Sequence, residues 1–157
     1  MCLRLSNQFR DDKPLVAKKD ILVYKLLDYS KEIRGYSTPF QCKRVYFENG
    51  STIMTSPLLL NCREVSLGIH AYFTISAAKY VAGMFDVTDV YFAIIPKGSK
   101  FYLGKHDKDI VSDNMIVFKT ESYYRKYCKK NGLREKIGMR EDGSFYFKYD
   151  EYFSNVE

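Results

Sequence analysis

Gly68-Ile69-His70-Ala71-Tyr72-Phe73-Thr74-Ile75-Ser76-Ala77-Ala78-Lys79-Tyr80-Val81 changes character halfway along. Residues 69–73 have the composition of a strand. Thr74 or Ser76 then offers a hydroxyl to cap a helix that Ala77 and Ala78 begin and that reaches about residue 85. Ala77, Tyr80, Val81 and Met84 recur at three- and four-residue intervals, which predicts one buried stripe. A strand running straight into a helix, inside a chain of otherwise short strands, points to the α+β class.

Working toward the N-terminus, residues 58–67 fit either a short helix or a buried extended segment. Asn49-Gly50 is a turn signal, because both central positions of a type I′ turn need positive φ; it predicts residues 42–47 pairing with residues 52–55. Residues 28–40 read as a loop, and residues 21–27 as a strand buried on at least one face. Residues 1–19 mix charges with Pro14 and read as a flexible or surface-laid arm.

Toward the C-terminus, residues 90–95 are the most strand-like stretch, and Pro96-Lys97-Gly98 is read as turning the chain so that residues 100–103 pair back. Residues 110–111 and 115–118 form a bent strand. Thr120 caps a helix over 121–131, Gly132 stops it in the left-handed region, and Asp142-Gly143 joins a hairpin of 136–141 with 144–150. The expectation is a single antiparallel, strand-rich domain over residues 20–157, with two short helices and a C-terminal β-hairpin.

Composition narrows the function classes. The 157 residues are 46% hydrophobic and 28% charged, which places the chain with globular proteins and away from disordered ones. No apolar run is long enough to span a bilayer and no secretory leader pattern is present, so the expected compartment is the cytoplasm, with no membrane partner. Cys2, Cys42, Cys62 and Cys128 are scattered and the two histidines lie far apart, so the spacing predicts reduced thiols and no metal site. Much of the net charge of +6 sits in residues 121–140, where Arg125, Lys126, Lys129, Lys130 and Arg134 form a basic patch.

Candidate chemistry gathers on two strands. His70 and Tyr72 alternate with apolar neighbours and so point the same way, which lets them hold a ribose or phosphate. Tyr123, Tyr124, Arg125, Lys126 and Tyr127 interleave rings and cations, as nucleic-acid surfaces do. At helical spacing, however, Tyr123 and Tyr127 pack inward and the cations face water, so nucleic acid is not the expected partner. His106 sits in an alternating-charge loop tip with no chemistry implied. No phosphate-binding glycine loop, dinucleotide fingerprint or serine-nucleophile elbow occurs.

The Met1-Cys2-Leu3 start, Asp20-Ile21-Leu22-Val23-Tyr24-Lys25, Gly68-Ile69-His70-Ala71-Tyr72 and Ile94-Ile95-Pro96-Lys97-Gly98-Ser99-Lys100-Phe101-Tyr102 resemble uncharacterised short proteins of bacteriophages and bacteria. That resemblance implies a small accessory protein acting on host machinery or defence, in the host cytoplasm. More distantly, Val23-Tyr24-Lys25 and Tyr72-Phe73-Thr74-Ile75-Ser76 running into Ala77 are similar to the two motif strands of the ADP-ribosyltransferase-like fold. Lys25 stands where that fold has arginine, Ile75 interrupts its Ser-Thr-Ser pattern, and Asp113-Asn114 stands about where its glutamate should be. The likeness implies a nucleotide pocket, with NAD or an ADP-ribose-like nucleotide as ligand, and little transferase activity once the glutamate is gone.

These readings converge on a non-enzymatic binding protein that takes a nucleotide or a host protein, with Tyr24, Lys25, His70, Tyr72, Thr74 and Ser76 as ligand contacts. The alternatives are an atypical ADP-ribosyltransferase-like enzyme using NAD, and a basic protein-binding or nucleic-acid-binding module built on the basic helix and C-terminal hairpin.

Overall fold

The computed structural model describes residues 3–4, 13–32, 34–38, 44–84, 89–104, 109–133 and 153–155. In chain order the elements are β1 (Leu3–Arg4), β2 (Leu15–Ala17), β3 (Ile21–Ser30), β4 (Gly35–Ser37), β5 (Arg44–Val45), β6 (Ser51–Thr55), β7 (Leu59–Asn61) and β8 (Glu64–Leu67). There follow β9 (Ile69–Tyr72), α1 (Ile75–Met84), β10 (Asp89–Ile95), β11 (Lys100–Leu103), β12 (Asp109–Ser112), β13 (Asn114–Phe118), α2 (Glu121–Asn131) and β14 (Phe153–Asn155). The α+β, antiparallel, strand-rich architecture with two helices is as the sequence predicts. The C-terminal hairpin expected over 136–150 lies outside the described residues, as does Arg134.

One large sheet runs in the order β14-β2-β11-β12-β9-β3-β10-β13-β6, with β4 and β5 attached beside β3, and a smaller sheet runs β1-β8-β7. Neighbouring strands are antiparallel throughout the described pairs. β3 is central because both its faces are covered, which is why Ile21-Leu22-Val23-Tyr24-Lys25-Leu26-Leu27 reads as a run rather than an alternation. On one face Leu26 and Tyr24 pack under α1 and Leu22 packs under α2 with Ile94 and Phe118. On the other, Ile21, Val23 and Leu27 join the larger core with Ala93, Ile95, Phe101 and Val117.

Several pairings differ from those the sequence suggests. Residues 28–40 are not all loop: β3 continues to Ser30 and pairs with Gly35–Ser37. β6 pairs along its whole length with β13 and, among the described residues, meets the segment before the Asn49-Gly50 turn only through an isolated Glu48–Ser51 bridge. β11 does not fold back on β10; it pairs with β12 and β2. Leu15–Ala17, within the stretch read as an arm, is a sheet strand whose Ala17 is buried, because its backbone satisfies the open edge of β11.

Helix α1 runs to Met84, the residue expected to follow in it lying outside the described residues, and its buried stripe is turned. Ala78 and Ala82 are buried, whereas Tyr80 and Met84 are 72% and 62% exposed. Two alanines let the helix axis approach Leu26 and Tyr72 closely, and larger side chains at those positions would hold it off. In α2 the Thr120 cap and the left-handed Gly132 stop are as read. Its inward residues are Tyr124 and Cys128; Tyr123 is exposed and Tyr127 half-buried.

Residues 58–67 contain the β7–β8 hairpin, turning at Cys62 and Arg63 with φ of 49° and 61°. Two successive left-handed residues define a type I′ turn, which favours Asn or Gly over a side chain such as cysteine. Exposed Cys62→Asn should therefore raise stability by about 0.5–1 kcal/mol, read as a higher urea midpoint at unchanged slope.

Candidate functional site

The site predicted from sequence is assembled in part. Tyr24 of β3 stands in register with Tyr72 of β9 on one side and Phe92 of β10 on the other. Tyr72 is in turn in register with Asp109 of β12. Directly opposed residues share a face, so Phe92, Tyr24, Tyr72 and Asp109 form one row across four strands. The Tyr24 and Phe92 rings lie 5.4 Å apart. His70 is two residues from Tyr72 and therefore on the same face.

Tyr24 and Tyr72 of this row lie under α1, whereas Phe92 stacks on Tyr124 of α2 with ring centres 4.7 Å apart. Thr74 is buried and caps α1, its Oγ1 accepting from the Ala77 amide at 3.0 Å and lying 3.2 Å from Ser76 Oγ. Ser76 itself is exposed. Tyr72 packs with Leu26, Ala78 and Ala82. Burial, reinforced by the Asp109 carboxylate, pushes its phenol up to about 12, so Tyr72 is a neutral hydroxyl at any physiological pH.

Lys25 is not part of that row. Next to Tyr24 in a strand, it points to the opposite face, into the larger core with Val23 and Leu27, and is 4% exposed. Its Nζ donates to the His70 carbonyl oxygen at 2.7 Å. β3 and β9 share a single register pair, Tyr24–Tyr72, so the ammonium bridges the seam where ladder bonding between them stops. Among the described residues no carboxylate answers its charge, and burial lowers its pKa to about 7. Burial and then the Lys25 charge hold the His70 imidazole down to about 3, so His70 is neutral and can both donate and accept.

Sequence reading overlooked Asp109, which needed the pairing of β12 with β9 to be known. Asp113, which stood for the missing acid, lies at the far end of β12, four residues or roughly 13 Å along the strand, where its Oδ1 accepts from the Lys100 amide at 3.0 Å. Among the described residues no group of three His, Cys, Asp or Glu could hold a metal ion, and no helix is long and apolar enough to cross a membrane.

The basic patch is exposed on α2, with Arg125 tied to Glu121 at 2.7 Å and Lys126 Nζ 6.0 Å from the centre of the Tyr123 ring. A second concentration of positive charge lies elsewhere. Arg34, Arg44 and Lys119 line a cavity of about 230 Å³ with Tyr36, Tyr46 and Phe47. Comparison with known proteins adds no relative: no protein-family model, curated protein or solved structure matches the chain.

Proposed function

We propose that this chain is a non-enzymatic binding protein for a nucleotide-like ligand, seated where β3, β9 and β12 meet the start of α1. The observation that carries the reading is the row Phe92, Tyr24, Tyr72, Asp109 with neutral His70 beside it. The half-buried Tyr24 ring offers an edge for a ligand ring, the carboxylate suits ribose hydroxyls, and neutral imidazole and phenol groups supply hydrogen bonds without a charge cost. The N-terminus of α1 adds amide dipoles that favour phosphate. In a phage setting, to which the sequence resemblance points, such a protein would act on host machinery or defence.

The test is thermal unfolding against NAD, ADP-ribose, mono- and dinucleotides and cyclic oligonucleotides. A ligand present at 100 times its Kd should add about 2.7 kcal/mol, or roughly 5–10 °C for a domain of this size. His70→Gln and Asp109→Asn should each remove that shift. Silence across the panel would sink the nucleotide reading and leave a protein partner, with the exposed basic face of α2 as its contact.

One observation favours a second reading, an ADP-ribosyltransferase-like enzyme that uses NAD. The two motif strands, β3 and β9, are sheet neighbours although far apart in sequence, β9 runs into α1, and Asp109 brings a carboxylate into line with Tyr72. A carboxylate there could stabilise a developing positive charge on ribose. Transfer of label from NAD, abolished by Asp109→Asn, would support it; intact NAD after prolonged incubation would not.

A further inference from the structure

The cavity between β4, β5 and the end of β13 is on the opposite side of the sheet from the row described above. Tyr91, whose ring packs against two of its lining rings, is in register with Lys25, so it projects away from the face that Phe92 and Tyr24 share. The lining is unusual in charge. Arg34, Arg44 and Lys119 contribute three cations, and none of the described residues lining the cavity is acidic. Among the described residues no ion pair or hydrogen bond engages the side chains of these three.

The floor is rigid. Tyr36 meets Phe47 edge-on at 5.2 Å and Tyr91 edge-on at 5.8 Å, and Phe47 stacks on Tyr91 at 5.9 Å. A hydrogen bond joins the Tyr36 and Tyr91 phenols, and burial is the first of the causes that raise the Tyr91 phenol well above its usual range. Tyr46, by contrast, is 71% exposed at the rim. Arg34 is held in the left-handed region at φ 47°, a conformation that carries strain for a side chain with a Cβ.

Three cations lining one cavity beside an exposed aromatic ring have a chemical counterpart in a phosphate carried on a planar ring. Guanidinium groups match phosphate oxygens in pairs, a lysine adds a point charge, and an exposed tyrosine offers a stacking surface that every base can use. A volume of about 230 Å³ admits one small ring and its phosphate more readily than a dinucleotide. We infer that this cavity is a second anion site, independent of the row on the helix face, and that its ligand is a nucleoside monophosphate with the phosphate at Arg34, Arg44 and Lys119 and the base against Tyr46.

Calorimetric titration of the full chain tests this, using 5′-AMP, 5′-UMP, the unphosphorylated nucleosides, inorganic phosphate and a single-stranded oligonucleotide as probes. Both monophosphates should bind, more weakly as salt rises, and the nucleosides should not. Arg34→Gln with Arg44→Gln should cost at least tenfold in affinity, and Lys119→Gln less. Tyr46→Ala should reduce the monophosphates to the affinity of inorganic phosphate. Asp109→Asn removes any nucleotide held on the other face, so the titrations are repeated in that background, where saturable monophosphate binding should persist and still be lost with the two arginines; this separates the site from the one proposed above. The replaced side chains other than Asp109 are exposed, and an unchanged melting temperature of each unliganded variant confirms that it is folded. Absence of saturable binding to the monophosphates up to about 10 mM would overturn the inference. So would equal affinity in the double-arginine variant, or binding of the oligonucleotide alone.

Discussion

Lys25→Met should make the protein more stable at pH 6 and less stable at pH 11. In the native state the ammonium is buried beside one carbonyl oxygen and, among the described residues, no carboxylate, and its pKa falls from 10.5 to about 7. A displacement of that size corresponds to about 5 kcal/mol of lost stability wherever the lysine is charged in both states, since each pH unit is worth about 1.36 kcal/mol. The sign follows from proton counting. Between pH 7 and 10.5 the unfolded chain holds a proton that the folded chain does not, so stability rises with pH across that window, and below pH 7 the full penalty stands.

Methionine fills nearly the same volume but leaves the His70 carbonyl without its donor, a loss of about 1–3 kcal/mol. The net at pH 6 is a gain of roughly 2–4 kcal/mol, or about 5–12 °C in melting temperature. Above pH 10.5, where the wild-type lysine is neutral either way, only the lost hydrogen bond remains and the variant melts lower. Melting curves at the two pH values decide the matter: a variant that is less stable at both would mean the ammonium has a partner that compensates its burial.

The second large effect is an acid transition governed by His70. Its native pKa of about 3 lies far below the ordinary 6.5, so between those values the unfolded state takes up a proton that the folded state refuses. Stability should therefore fall steadily as pH drops from 6.5 to 3, by about 5 kcal/mol in all. His70→Gln keeps a hydrogen-bonding side chain without a titrating one, and should flatten this part of the profile while leaving the rise between pH 7 and 10.5 in place. An unchanged acid slope in the variant would assign the transition to carboxylates instead.

What could be read in the sequence was local. Thr120 and Gly132 bracket α2 because a cap needs only a side-chain oxygen and a left-handed stop only a glycine, both set within a turn or two. The run from Ile69 into α1 was legible for the same reason. Strand partners were not, because β10, β12 and β13 find neighbours by burial on both faces, and no spacing encodes that. The site divides along the same line. That Lys25 and Tyr24 cannot share a face follows from strand alternation alone and was available from the outset. Asp109 became visible only with its register against Tyr72. Arg34, Arg44 and Lys119 carry no mutual spacing at all; only the packing of β4 and β5 beside the end of β13 collects them.

The position of β3 at the centre of the sheet has a consequence for how the chain comes into being. Its longest partner, β10, follows it by roughly seventy residues, so during synthesis at about 5–20 residues per second residues 21–27 wait several seconds for that partner, β4 taking up only residues 28–30 meanwhile. Ile21-Leu22-Val23-Tyr24-Lys25-Leu26-Leu27 without its lysine would be an uninterrupted apolar strand of the kind that pairs with copies of itself. In that interval Lys25 is solvated and charged, and it guards the segment against aggregation. The same side chain that weakens the finished fold protects the unfinished one, so Lys25→Met should give a protein that melts higher yet accumulates less in the soluble fraction when expressed at 37 °C than at low temperature.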